Sequence, residues 1–173
     1  GSGDKAFVAG ADIAEFSKYD KNKGLELAKK GQKNVLDLIE NFPKPIIAAI
    51  NGYALGGGLE LAMACHMRVA VNTAKMGFPE VSLGLIPGYG GTQRLTKLVG
   101  KTNAMEMILS GEMIDSQKAL NLRLVNKVVE RNNLFSSITE LAKKIMRNSP
   151  NAIANAITSI NAAQKNVEGF EIE

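Results

Sequence analysis

Asn51-Gly-Tyr-Ala-Leu-Gly-Gly-Gly-Leu-Glu60 is the stretch on which the rest of the chain turns. Just before it, Ile46 to Ile50 is an apolar run of strand length that ends in Asn-Gly, a strong turn signal. Just after the three glycines, Leu59-Glu-Leu-Ala-Met-Ala-Cys65 reads as a buried helix. A strand, a glycine turn and a helix in that order aim unpaired backbone N–H groups at a negatively charged ligand atom. Glycine lets the backbone come close, and the helix dipole adds partial positive charge at the same end. Glu60, three residues past Gly57, falls on the same side of the first helical turn. Pro79-Glu80 supplies a second acid between apolar neighbours, followed by the glycine-rich Gly84-Leu-Ile-Pro-Gly-Tyr-Gly-Gly91. Two carboxyl groups beside a backbone anion hole suggest proton transfer next to a stabilised oxyanion.

Composition bounds the rest. A chain of 173 residues is most simply one domain and is long enough to bury about 70% of its unfolded surface. Its 45% hydrophobic and 22% charged residues are ordinary for a soluble globular protein. Tryptophan is absent, so Leu, Ile, Val, Ala and Met must fill the core. A single cysteine excludes an internal disulfide and a cysteine-rich zinc site. No charged n-region precedes an apolar h-region at the start, which makes the cytoplasm the default location. Pro45 to Cys65 is mostly apolar and Gly52-x-x-x-Gly56 matches a membrane helix-packing motif. A membrane span there would put Asn51 and Glu60 in hydrocarbon and four glycines in one helix, so it is rejected.

In chain order, Lys5 to Ala9 reads as a strand leading into Gly10-Ala-Asp-Ile13. A short helix is expected over Asp12 to Tyr19, and a longer one over Asn22 to Asn41, ended by Phe42-Pro-Lys-Pro45. Met67 to Val71 and Lys75 to Phe78 read as strands, and Thr92 to Val99 and Thr102 to Leu109 as helices stopped by Gly100 and Gly111. Asp115 caps a short helix, Leu124 to Val129 is a last strand, and Leu134 to Arg147 is helical. Ser149-Pro150 opens a final helix with a cap and a proline at its first position. The order is mixed α/β early and all helix after about residue 130.

Three of these segments carry a resemblance. Lys5-Ala-Phe-Val-Ala-Gly-Ala-Asp-Ile13, then Asn51 to Cys65, then Pro79-Glu-Val-Ser-Leu-Gly-Leu-Ile-Pro-Gly-Tyr-Gly-Gly-Thr-Gln-Arg-Leu95 resemble the enoyl-CoA hydratase (crotonase) family, in the family's order. The resemblance implies an α/β crotonase (ClpP-like) fold of repeated ββα units followed by a C-terminal helical region. It divides the chain into a partial core with the CoA-ester site, residues 1–130, and a helical oligomerisation region, residues 131–173. Family members have strands before the first segment and more helix after Phe170-Glu-Ile-Glu173, so the chain reads as a partial crotonase with an exposed sheet edge.

The same resemblance assigns roles. The N–H groups of Ala11 and Gly57 would polarise a thioester carbonyl and hold the enolate. Glu80 would protonate or deprotonate Cα, and Glu60 would position and activate the water that adds at Cβ. The remaining candidates for binding the CoA ester are Lys5, Ala9, Gly10, Asp12, Ile13, Gly56, Pro87 and Gly88. Coenzyme A enters as part of the substrate, with no metal or redox cofactor, and the family's trimers or paired trimers (hexamers) imply a homo-oligomer. Retention of both acids favours a hydratase over an enoyl-CoA isomerase of the same fold.

Each residue also has a plainer reading. Gly56-Gly-Gly58 could serve only to pack a helix tightly on a strand; it lacks the Gly-Lys-Ser/Thr ending of a nucleotide loop. Glu60 and Glu80 could be buried acids satisfied by backbone or arginine. His66, the single histidine, reads as structural, because no metal cluster or triad assembles from it and Cys65. Tyr89 stands where many hydratases carry a smaller residue and is a candidate for shaping the acyl pocket. The net charge of +4, with Lys23, Lys29, Lys30 and Lys33 on one helix, reads as a solvated face. Its functional alternatives are attraction of CoA phosphates, with Lys5 best placed, and RNA binding, for which stacking aromatics and a known module are lacking. A catalytically silent acyl-CoA-binding or RNA-binding fragment is the reading from another class.

Overall fold

A computed structural model describes residues 1–10, 23–24 and 29–163 of the chain. Among the described residues, seven strands form two sheets. The first holds β1 (Ala6–Val8), β3 (Tyr53–Leu55), β5 (Lys75–Gly77) and β6 (Met113–Asp115) in the order β1-β3-β5-β6. The second holds β2 (Ile47–Ile50), β4 (Met67–Val71) and β7 (Lys127–Val129) in the order β2-β4-β7. Every pairing is parallel except β5 with β6.

The helices follow as α1 (Asp37–Glu40), entered through a π-helical turn (Gln32–Leu36), then α2 (Gly57–Ala64), α3 (Gly91–Val99) and α4 (Lys101–Ser110). They continue as α5 (Ser116–Asn121), α6 (Leu134–Ile145) and α7 (Pro150–Ala163). Two units of the same kind are visible in this order. β2, β3 and α2 make the first; β4, β5, a 3-10 turn (Pro79–Leu83) and α3 make the second. Each unit gives one strand to each sheet.

That alternation corrects one expectation. The chain does not pass directly from the strand ending at Ile50 into the glycine turn. Asn51-Gly52 carries it across to the other sheet, where Tyr53–Leu55 pairs with β1. Three residues are too short to announce a strand by alternation, and β6 was missed for the same reason. The last strand is also shorter than expected: Leu124 and Val125 are buried, but they lie before β7.

The remaining elements follow the local chemistry. Asp115 accepts the Lys118 N–H at 2.7 Å and caps α5, Pro150 opens α7, and Gly100 and Gly111 close α3 and α4 with φ of 80° and 68°. The expected helix over residues 12–19 lies outside the described residues. Between the elements sits one apolar core, in which Ile50, Leu59, Val71, Met76, Phe78 and Leu95 are all fully buried. α2 is central to it, and five of its six positions after the opening glycines are buried, Glu60 among them. Among the described residues, no helix is long and apolar enough to cross a membrane.

Candidate active site

The three glycines before Glu60 do different jobs. Gly56 has φ of 51°, and a Cβ there would stand 2.6 Å from Oε1 of Glu80. A side chain at this position would be strained by its backbone and would displace the Glu80 carboxyl. Gly57 is the first residue of α2, at the helix end whose N–H groups have no intrahelical acceptor. Gly58 lies so close to β1 that any Cβ would collide with the Val8 carbonyl. The tight helix-on-strand packing is thus present at Gly58, one residue after the helix start at Gly57.

Glu60, in the first turn of α2, is 1% exposed. Its Oε1 accepts the N–H groups of Tyr89 at 2.8 Å and Gly91 at 2.7 Å. Its other oxygen takes no donor among the described residues. Burial raises the Glu60 pKa above the ordinary carboxylate value; the two amide bonds and the Arg94 charge oppose this, and the Glu80 charge adds to it. The alternative of a buried acid satisfied by backbone therefore holds for Oε1.

Glu80 stands on the 3-10 turn, half-buried, with Oε2 buried and unpaired among the described residues. Burial raises its pKa as well. The two carboxyls line one cavity of about 230 Å³. Ala9 and Gly10 reach it from the end of β1, Gly56 and Gly57 from the start of α2, and Gly88 and Tyr89 from the loop before α3. Leu83, Leu85 and Ile86 form an apolar flank, each more than half exposed. The cavity can hold a carbonyl oxygen near a helix N-terminus, an apolar group against the leucines and a water between two acids.

Of the residues singled out by the sequence, Glu60, Glu80, Gly56, Gly57, Ala9, Gly10 and Gly88 thus meet at one cavity. Pro87 is buried beside it in the same loop. Lys5 does not line it: the residue is exposed ahead of β1, and its carbonyl accepts the Tyr53 N–H at 3.0 Å. Ala11, Asp12 and Ile13 lie outside the described residues. His66 lines a different cavity, of about 290 Å³, and its Nδ1 accepts the Ile46 N–H at 3.0 Å. Cys65 is buried, which pushes its thiol pKa up. Lys29, Lys30 and Lys33 are exposed.

Sequence reasoning missed two arginines. Arg68, 5% exposed, donates to the carbonyls of Cys65 and Leu124 at 2.7 Å each and so holds the C-terminal end of α2. Arg94, 8% exposed, lies behind the loop that holds Glu60. A cation inside the apolar run Met67 to Val71 was the available signal for Arg68, whereas Arg94 stands among Thr92, Gln93, Thr96 and Lys97 and gave none.

The family is decided by comparison with known proteins: the enoyl-CoA hydratase/isomerase family model matches residues 1–172. The chain belongs to that family. It is 46% identical over 161 residues to a short-chain-enoyl-CoA hydratase of Clostridium acetobutylicum, covering 93% of this chain and 61% of the relative. It is 49% identical over 146 residues to a crotonyl-CoA hydratase of Syntrophomonas wolfei, covering 84% of this chain and 56% of the relative. The crystal structure of an enoyl-CoA hydratase from Bacillus anthracis superposes with a TM-score of 0.92 at 38% identity, over 99% of this chain and 67% of the other. The fold is therefore the crotonase fold. The chain spans about 60% of the length of the curated relatives it matches.

Proposed function

We propose that this chain carries the active centre of an enoyl-CoA hydratase, which adds water reversibly across the double bond of a 2-enoyl-CoA thioester. The observation that carries the reading is the pair Glu60 and Glu80, both with raised pKa values, on one cavity beside the N-terminus of α2. Two relatives are named as short-chain-enoyl-CoA and crotonyl-CoA hydratases, which supports a short acyl chain.

The thioester oxygen accepts the Gly57 N–H, with the Ala11 N–H as the second donor implied by family resemblance. This polarises the enoyl system and makes Cβ electrophilic. Water sits at Oε2 of Glu60, which takes a proton as the hydroxyl bonds to Cβ. The electron pair moves through the enolate, and Glu80 delivers a proton to Cα. One hydrogen of the water stays on the new hydroxyl and the other goes to Glu60, Glu80 gives its own proton to Cα, and return of a proton from Glu60 to Glu80 restores the pair for the next turnover. Coenzyme A travels as part of the substrate, and the step has no redox change. A homo-trimer or hexamer is the assembly proposed, by family resemblance.

The test is loss of the conjugated enoyl absorbance when crotonyl-CoA meets the purified protein, with Glu80→Gln as the comparison. Turnover that falls by about 10²–10⁴ in the variant is expected for a general acid–base residue. Binding of the ester without hydration, together with migration of the double bond in a 3-enoyl-CoA, would instead mark an isomerase.

A further inference from the structure

Arg94 sits behind the loop that holds Glu60 and touches neither the carboxylate nor the cavity between the two acids. Its Nη1 donates to the Tyr89 carbonyl at 2.8 Å. Its Nη2 and Nε donate to Oε2 of Glu40 at 2.7 and 3.2 Å, and Asp37 lies 3.5 Å from Nη2. Gln32, on the π-helical turn, accepts from Nη1 at 3.3 Å and donates to Asp37 Oδ1. The guanidinium is therefore fixed on one side by α1 and its preceding turn, and it grips a loop carbonyl on the other. Tyr89, whose carbonyl it grips, is one of the two residues whose N–H groups hold Glu60.

Two adjacent glycines fit the loop into this arrangement. At Gly90, with φ of 80°, a Cβ would stand 2.6 Å from Nη1 of Arg94. At Gly91 a Cβ would stand 2.7 Å from Oε1 of Glu60. The loop is one backbone thick between cation and carboxylate. We propose that Arg94 is a positioning residue for Glu60: it holds the Gly88–Gly91 loop from behind, so that the Tyr89 and Gly91 amides fix one carboxylate oxygen and leave the other aimed at the cavity. This role rests on the hydratase reading, because it concerns the group proposed to activate water.

A merely structural arginine would lower the folded population when removed and leave each folded molecule as active as before. A positioning residue changes the carboxylate itself. The charged groups facing Glu60 are Glu80 from the 3-10 turn and Arg94 from α3. Behind Arg94 stand Asp37 and Glu40 of α1; Lys29 and Lys97 line the open side of the same crevice, and His66 lies beside Glu40. Arg94 opposes the burial that raises the Glu60 pKa, so its removal moves that pKa further up.

The experiment follows the Glu60 carboxyl by carbon-13 NMR titration, and crotonyl-CoA kinetics, in Arg94→Gln, Arg94→Lys and Glu40→Gln proteins matched for melting temperature or corrected for folded fraction. In Arg94→Gln the Glu60 titration midpoint rises and kcat falls by about 10–100-fold, the scale of an ångström of misplacement, while KM stays within about threefold. The acidic limb of the rate profile moves to higher pH with the midpoint. Arg94→Lys keeps the charge but not the fork, so the midpoint stays near the parent's while kcat still falls. Glu40→Gln loosens the guanidinium from α1 and gives a smaller change in the same direction. If Arg94→Gln does not fold, the Glu40→Gln and Arg94→Lys proteins still decide the question. An unmoved midpoint with an unmoved kcat per folded molecule would overturn the proposal. A parent protein that does not hydrate crotonyl-CoA would remove the hydratase reading, while the titration would still report whether Arg94 sets the state of Glu60.

Discussion

Gly91→Ala is the substitution on which the geometry of the water-side carboxylate can be tried most directly. A Cβ at Gly91 would stand 2.7 Å from Oε1 of Glu60, 2.9 Å from Cε1 of Phe78 and 3.0 Å from Cγ of Glu60. Phe78 is fully buried and Glu60 nearly so, so neither neighbour has free space to withdraw into. An ordinary contact needs ~3.4 Å or more, and either the start of α3 or the carboxylate must shift by roughly half an ångström. Intrinsic helix propensity works the other way and favours alanine by up to ~1 kcal/mol. Against it stands overpacking of a filled interior, ~1–3 kcal/mol, and weakened amide bonds to a carboxylate worth ~1.5–3 kcal/mol each when intact. The expected balance is a loss of ~1–3 kcal/mol in stability and of roughly 10–100-fold in kcat for crotonyl-CoA hydration. Gln93→Ala, two residues along the same helix on an exposed side chain, is the control and should alter neither by more than about twofold or ~0.5 kcal/mol. Denaturant melts and steady-state kinetics at saturating substrate read both quantities. A Gly91→Ala protein with parental kcat and stability would refute the claim that the loop and the carboxylate are packed to contact.

Glu60→Gln keeps an oxygen for the two amides but removes the charge, and its stability should depend on pH in a defined sense. The folded pKa of Glu60 lies above its ordinary value of 4.5, so the carboxyl contributes its full stability below 4.5 and loses it as the pH rises through the folded pKa. Glutamine has nothing to lose, so the variant's melting temperature should gain on the parent's as the pH rises above 4.5 while its turnover collapses; a pH-independent difference would contradict this. Tyr89 stands between the cavity lined by Glu60 and Glu80 and an adjoining apolar one of about 250 Å³, with its ring against Gly31. Tyr89→Ala should join the two and raise kcat/KM for longer acyl chains relative to crotonyl-CoA, and an unchanged chain-length preference would count against that role.

The sequence by itself determined the parts of this protein that are written in consecutive residues. Ile46 to Ile50, Met67 to Val71 and the helix after the glycines were legible because apolar runs, turn residues and caps act over a few positions. Glu60, Glu80 and the glycine turn at Gly57 stood out for the same reason, and the family resemblance, whose motifs are local too, assigned their roles. Tertiary structure alone decided what lies between distant segments. β3 and β6 are three residues each and exist because neighbouring strands offer them hydrogen bonds, not because their own pattern demands it. The partition of Gly56, Gly57 and Gly58 into a turn facing Glu80, a helix start and a contact with Val8 depends on chain that arrives from elsewhere. The same is true of Arg94, whose partners are Glu40, 54 positions away, and a loop that in turn holds Glu60. Short-range propensity carries no information about such pairs. The low dielectric around a buried carboxylate, which sets its proton affinity, appears only once the chain has closed over it.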